Sequence, residues 1–178
     1  AGRWYAVLTP VEGLEVAFGI RVDAKGSKLS GALLNGAAES RFTSVSWDGV
    51  TLTLAMDHYD GGLSAHLDGD ALVGTFTRAT ASGKIEAPFR ATRKAPPVPS
   101  LPKGAPSVKG DWGVEMGEGE KVERLLGTFR QEGGRAAGTL LGPTGDYGPM
   151  HGTFDGKALV LTVFDGVFVY RLEGTIGE

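Results

Sequence analysis

The sequence predicts an all-β protein made of two related antiparallel meander units, and three observations carry that prediction. Apolar residues come in short stretches that alternate with polar ones, without the 3.6-residue recurrence of a packed helix. Gly, Asp and Asn close nearly every stretch, supplying the positive φ that tight hairpin turns need. The same strings also return roughly one hundred residues further on, as an internally duplicated structural unit does.

The duplication is read directly from the chain. Gly2-Arg3-Trp4 answers to Gly110-Asp111-Trp112, and Leu29-Ser30-Gly31-Ala32-Leu33-Leu34 to Ala136-Ala137-Gly138-Thr139-Leu140-Leu141. Asp48-Gly49 and the alternating residues after it answer to Asp155-Gly156, Tyr59-Asp60-Gly61 to Phe164-Asp165-Gly166, and Leu67-Asp68-Gly69 to Leu172-Glu173-Gly174. What recurs is tryptophan, paired apolar residues and Asp-Gly turns, the parts of strands and hairpins.

Taken in order, the first copy predicts strands near residues 3–8, 15–22, 28–34, 41–47, 51–56, 62–67, 71–78 and 85–92. Leu52, Leu54 and Met56 alternate with Thr51, Thr53 and Ala55, so one face of that strand is packed and the other wet. The second copy predicts strands near 111–116, 123–131, 136–141, 147–154, 158–164 and 167–172. Phe164, Val167, Phe168 and Val169 form a more uniformly apolar run, which predicts a buried hairpin. Each unit is expected to close as a small barrel or sandwich, with one larger shared barrel as the alternative.

Composition places the boundaries. Residues 1–93 form the first unit, 94–107 a linker holding five of the nine prolines, and 108–178 the second unit. The linker is expected to be semi-rigid, spanning up to about 3.1 Å per residue in polyproline II. After Leu67-Asp68-Gly69 the first copy continues through two further strands, whereas after Leu172-Glu173-Gly174 only four residues remain. The second unit is therefore expected to lack its last strands, and apolar sheet edges are covered, paired or closed in folded proteins. A continuation of the polypeptide, a partner protein or a strand-mediated dimer would each supply the missing pairing.

A net charge of −3 from 18 basic and 21 acidic residues, mixed along the chain, provides no basic stripe for phosphates, so no nucleic-acid partner is expected. No apolar run approaches the roughly 20 residues of a membrane helix, so no transmembrane segment is expected. The chain has no cysteine, which excludes disulfides, thiolate metal sites and cysteine redox chemistry within these residues. No Gly-X-Ser-X-Gly elbow is present, and no catalytic residue or cofactor is assigned; the chain by itself is not expected to be an enzyme.

Four features are candidates for more than structure. Trp4, Trp47 and Trp112 are expected to line either a ligand cavity or the core, since aromatic residues do both. Asp146 and Tyr147, in a Thr-Gly-Asp-Tyr string with no counterpart in the first copy, mark a specialised loop. His58 and Asp60 would share a face on a strand, although Asp60-Gly61-Gly62 reads first as a turn, and no metal site is assigned. Glu115, Glu118, Glu120 and Glu123 crowd a glycine-rich loop whose charge repels phosphate, so it reads as a solvated hairpin connection.

The strings Gly110-Asp111-Trp112, Gly127-Thr128-Phe129-Arg130-Gln131, Gly138-Thr139-Leu140-Leu141, Thr144-Gly145-Asp146-Tyr147, Gly152-Thr153-Phe154-Asp155-Gly156 and Leu161-Thr162-Val163-Phe164-Asp165-Gly166 resemble a module found ahead of thioredoxin-like domains in exported bacterial thiol-disulfide reductases and redoxins. With the weaker first copy, the resemblance covers most of the chain. It implies an extracytoplasmic, non-catalytic accessory unit whose partner is a thioredoxin-like domain in cis or another protein. The family's Cys-X-X-Cys has no counterpart here. The two Gly-X-Trp strings also resemble the first strand of calycins, the lipocalin and avidin group, which implies a barrel binding a small apolar ligand. Arg90 or Arg93 would be the arginine partner of Trp4 in that likeness, and the second copy offers none.

Overall fold

A computed structural model describes residues 1–117 and 119–177, and of Glu120 the backbone only. Among the described residues every extended element is a β-strand in one of two antiparallel sheets, each curled like a half-barrel, and no α-helix is present. The strands are β1 (Gly2–Val11), β2 (Leu14–Lys25), β3 (Lys28–Asn35), β4 (Ala38–Arg41), β5 (Ser44–Trp47), β6 (Thr51–Met56), β7 (Gly61–Asp68), β8 (Ala71–Thr80), β9 (Gly83–Thr92), β10 (Gly110–Met116), β11 (Glu123–Glu132), β12 (Arg135–Gly142), β13 (Gly145–Asp146), β14 (Met150–Phe154), β15 (Ala158–Phe164) and β16 (Val169–Thr175).

The first sheet runs β4-β3-β2-β1-β9-β8-β7-β6-β5, a meander in which the last strand returns to pair with the first. Its outermost strands are consecutive in sequence. Phe42 N–H donates to Gly31 O at 3.1 Å and Thr43 N–H to Ala55 O at 2.9 Å, so two adjacent residues tie one edge to the other. The single strand expected over 41–47 is thus two strands with a corner between them, because residues 42 and 43 bond to different neighbours. Alternation sets the interior: Trp4, Ala6 and Leu8 of β1 and Val16, Phe18, Ile20 and Val22 of β2 are buried.

The second sheet runs β10-β11-β12-β14-β15-β16, with the two-residue β13 pairing β12 off that path. The expected strand over 147–154 begins at Met150, since the preceding residues form the turn that follows β13. Leu125, Phe129, Ala136, Leu140, Met150, Phe154 and Leu161 are buried.

The two units share turn chemistry. Asp48 Oδ1 accepts the N–H groups of Val50 and Thr51, both at 2.8 Å, and Asp155 Oδ1 accepts those of Lys157 and Ala158 at 2.8 and 2.7 Å. These backbone donors hold both carboxyls below the ordinary value of 3.8. A close approach recurs as well. A Cβ on Gly31 would stand 2.3 Å from Arg21 O, and one on Gly138 would stand 2.2 Å from Thr128 O, so glycine is required at both places.

Compactness does not divide the chain where composition does. One unit comprises Ala1–Pro96 with Val163–Arg171, the other Pro97–Thr162 with residues 172–177. Residues from Pro97 on pack as part of the second unit instead of standing as a spacer: a Cβ on Gly134 would stand 2.1 Å from Pro99 O, and one on Gly156 would stand 3.0 Å from Pro102 Cδ. Residues 163–171 join the first unit because Phe164 enters its core. The Phe164 ring lies edge-on to Phe18 and Phe76, with centroids 4.9 Å apart in both pairs. The apolar hairpin expected here is buried only in part, since Phe168 is 54% exposed and stacks on Tyr170.

Candidate functional site

A concavity of about 1040 Å³ lies wholly within the second unit. Its walls come from β10, from the inward faces of β11, β12 and β15, and from Leu172 onward. The lining is mostly aliphatic and aromatic, with Trp112, Leu125, Phe129, Leu140, Leu161 and Leu172 as its main apolar members. Glu115, Arg124 and Glu173 are its charged ones, and Arg124 Nε reaches Glu115 Oε1 at 3.3 Å. An apolar interior of this size with a few polar groups at its margin has the dimensions and chemistry of a binding cavity.

Two local differences distinguish this unit from the first. Ile20, fully buried, stands opposite Trp4, whereas Gly127 stands opposite Trp112. The missing side chain makes room for the Phe129 ring, which lies 2.7 Å from where a Gly127 Cβ would be. The larger difference is that the first unit fills its interior with Leu72, Phe76, Ala87, Phe89 and Ala91 of β8 and β9. Those two strands follow β7; after β16, their counterparts are not among the described residues.

The three tryptophans part company. Trp4 is buried in the first core, with the Arg93 guanidinium 3.6 Å above its ring. Arg93 also donates to the carbonyls of Arg3 at 3.0 Å and Ala1 at 2.5 Å, and burial draws it below the usual guanidinium value. Arg90 instead pairs with Asp68 at 3.2 Å, so Arg93 is the partner of Trp4. Trp112 lines the cavity, its indole N–H donating to Val108 O at 2.8 Å. Trp47 lines neither cavity nor core: it is 42% exposed where β5 runs out into the Asp48 turn, beyond the reach of the core that Val45 still touches.

Asp146 and Tyr147 form a structural turn outside the cavity. Asp146 Oδ1 accepts the Gly148 N–H at 2.8 Å and the Thr139 hydroxyl, while Tyr147 N–H donates to Leu140 O at 2.9 Å. His58 and Asp60 do not share a strand face, because residues 57–59 turn in a 3₁₀ helix and Asp60 ends it at φ 48°. Among the described residues no group of three or more His, Asp or Glu is placed to hold a metal ion. Of the acidic loop, Glu118 and the Glu120 side chain lie outside the described residues, and Glu115 pairs with Arg124.

Sequence reasoning did not name the aliphatic lining. The signal was present in the alternation of Leu125, Gly127 and Phe129 along β11. No helix among the described residues is long and apolar enough to cross a membrane. Set beside known proteins, the chain matches no family model, no curated protein and no solved structure.

Proposed function

We propose that this chain is a non-catalytic interaction module that serves an exported thioredoxin-like protein, in cis or as a separate partner. The observation that carries the reading is the second unit: a curled sheet whose outermost strands, β10 and β16, both contribute to the wall of a 1040 Å³ apolar cavity. An apolar interior reached through strand edges is suited to receiving another polypeptide, since backbone groups supply pairing and side-chain positions supply fit. The thioredoxin association rests on the strings quoted above, and the extracytoplasmic location follows from it.

Amide hydrogen exchange on the isolated chain tests the module. Residues 112–116 of β10 are expected to exchange much faster than their β11 partners, and the cavity to bind an environment-sensitive apolar dye. Equal protection of both strands with no dye binding overturns the reading. The association is tested by the coding sequence: a thioredoxin-like Cys-X-X-Cys domain in the same reading frame supports it in cis. Failing that, binding by titration to a thioredoxin-like protein is required.

The stacking of Arg93 on Trp4 favours a second reading, a calycin-like binder of a small apolar ligand. In that reading the second unit's cavity is the ligand site and Trp112 forms part of its wall. Saturable one-to-one binding of a fatty acid with quenching of Trp112 fluorescence would support it.

A further inference from the structure

We propose that Asn35 is a self-modification site: the fold keeps its side-chain amide unreactive through Phe164, and the amide deamidates once the Phe164 segment is released, leaving a chain that cannot rebuild the contact. Asn35 is the only asparagine of the chain, and Gly36 follows it. That pair is labile in an open backbone, because glycine has no Cβ to keep its nitrogen away from the neighbouring side chain. Asp precedes Gly at five other places, and none of those carries an amide to lose. The structure supplies the reason for asparagine here. Its Nδ2 donates to Phe164 O at 2.7 Å and its Oδ1 accepts the Phe164 N–H at 3.1 Å, so one short side chain must be donor and acceptor together. An aspartate carboxylate only accepts.

The same contact withholds the reaction. Ring closure needs the Gly36 nitrogen within bonding reach of Asn35 Cγ, with the side chain swung off Phe164 and the backbone out of the extended region. In the fold Asn35 is 5% exposed, pairs with Ala38 at the end of β3 and has both polar atoms engaged. Gly36, at φ 60°, makes the tight turn that fixes this pairing. On release the Gly36 nitrogen attacks Cγ. An N–Cγ bond forms, the Cγ–Nδ2 bond breaks, and Nδ2 leaves as ammonia with the proton that the Gly36 nitrogen gives up. Water then opens the cyclic imide at either carbonyl, giving aspartate or isoaspartate, and no other reagent is consumed.

Either product closes the way back. A carboxylate cannot donate to Phe164 O, and it would place a charge against that carbonyl at a residue the first core encloses. Isoaspartate adds a methylene to the main chain, which breaks the fixed spacing of consecutive Cα atoms on which the Asn35–Ala38 pairing depends. The segment 163–171, which sets Phe164 against Phe18 and Phe76, then lacks its polar anchor. The modification is thus a one-way record of opening in the first unit, independent of the cavity in the second.

The test compares the whole chain with a synthetic peptide of residues 29–41, both kept in mildly alkaline buffer at physiological temperature. Trypsin releases the same peptide from the chain, with Asn35 and without Gln131, and mass spectrometry follows its gain of about 1 Da. The folded chain is expected to deamidate at least about tenfold more slowly than the synthetic peptide, and urea below the unfolding midpoint to raise its rate. Phe164→Leu loosens the anchor without touching the Asn35-Gly36 pair and is expected to speed deamidation severalfold, with circular dichroism checking its fold. If that variant unfolds, the urea series on the parent decides alone. The deamidated chain, separated by ion exchange, is expected to melt below the parent, as is Asn35→Asp. Equal rates in chain and peptide overturn the protection, and a synthetic peptide that gains no mass overturns the lability. A rate that rises only along the global unfolding curve overturns release of the Phe164 segment as the trigger. A deamidated chain that melts with the parent overturns the one-way outcome.

Discussion

Asn35 brackets the backbone of Phe164, its side-chain amide donating to the Phe164 carbonyl at 2.7 Å and its carbonyl accepting the Phe164 N–H at 3.1 Å. Both bonds are buried, and they join residues 129 positions apart in the chain. Asn35 ends β3, and Phe164 ends β15. Asn35→Ala would leave a buried donor and a buried acceptor without partners. A loss of about 2–4 kcal/mol is expected in urea denaturation followed by tryptophan fluorescence. An unchanged midpoint would mean that water replaces both bonds.

Phe164 and Phe168 lie on one hairpin and differ in what they bury. Phe164 is fully enclosed between Phe18 and Phe76, whereas Phe168 is 54% exposed. Phe164→Ala is expected to destabilise the protein by about 3–5 kcal/mol. Phe168→Ala should stay within about 0.5 kcal/mol of the parent. Similar thermal shifts for the two variants would place the hairpin outside the first core.

Glycine is required at equivalent places in both units. Gly31→Ala and Gly138→Ala each force a methyl group against a carbonyl oxygen of the neighbouring strand, and each is expected to cost about 1–3 kcal/mol. Gly113→Ala meets no atom within 4 Å and serves as the control, with a change of no more than about 0.5 kcal/mol. Chemical denaturation of the three variants checks the set.

The Asp48 and Asp155 turns link stability to pH. Backbone N–H donors depress both carboxyls below 3.8 in the folded protein, so the folded state favours the ionised form. Their contribution is present above pH 3.8 and is lost as pH falls through the depressed values. Melting temperature is expected to drop below pH 4, and Asp48→Asn with Asp155→Asn to flatten that part of the profile. Carboxyl carbon titration by NMR should place both midpoints below 3.8.

Thr51–Met56, by its alternation, and Ala158–Phe164, by its short apolar run, match their expected bounds, and an Asp-Gly turn opens each. The corner at Phe42 and Thr43 was not legible, since an unbroken run of strand-compatible residues carries no mark of which neighbour each amide will meet. Trp47 shows the same limit from the side of burial. Its residue type argued for an interior position, and only its place at the end of β5 puts it in solvent.

The sequence by itself determined the all-β class, the two similar units and the turn positions, because periodicity and turn chemistry are local. Tertiary structure alone decided that Phe164 belongs to the first core and that Arg93, not Arg90, covers Trp4. It also decided that Gly127 faces Trp112 where Ile20 faces Trp4, and that the Phe129 ring takes the space that a side chain at Gly127 would need. Those outcomes depend on sheet register and on contacts across long sequence separations, and a one-residue change of register would send each side chain to the opposite face.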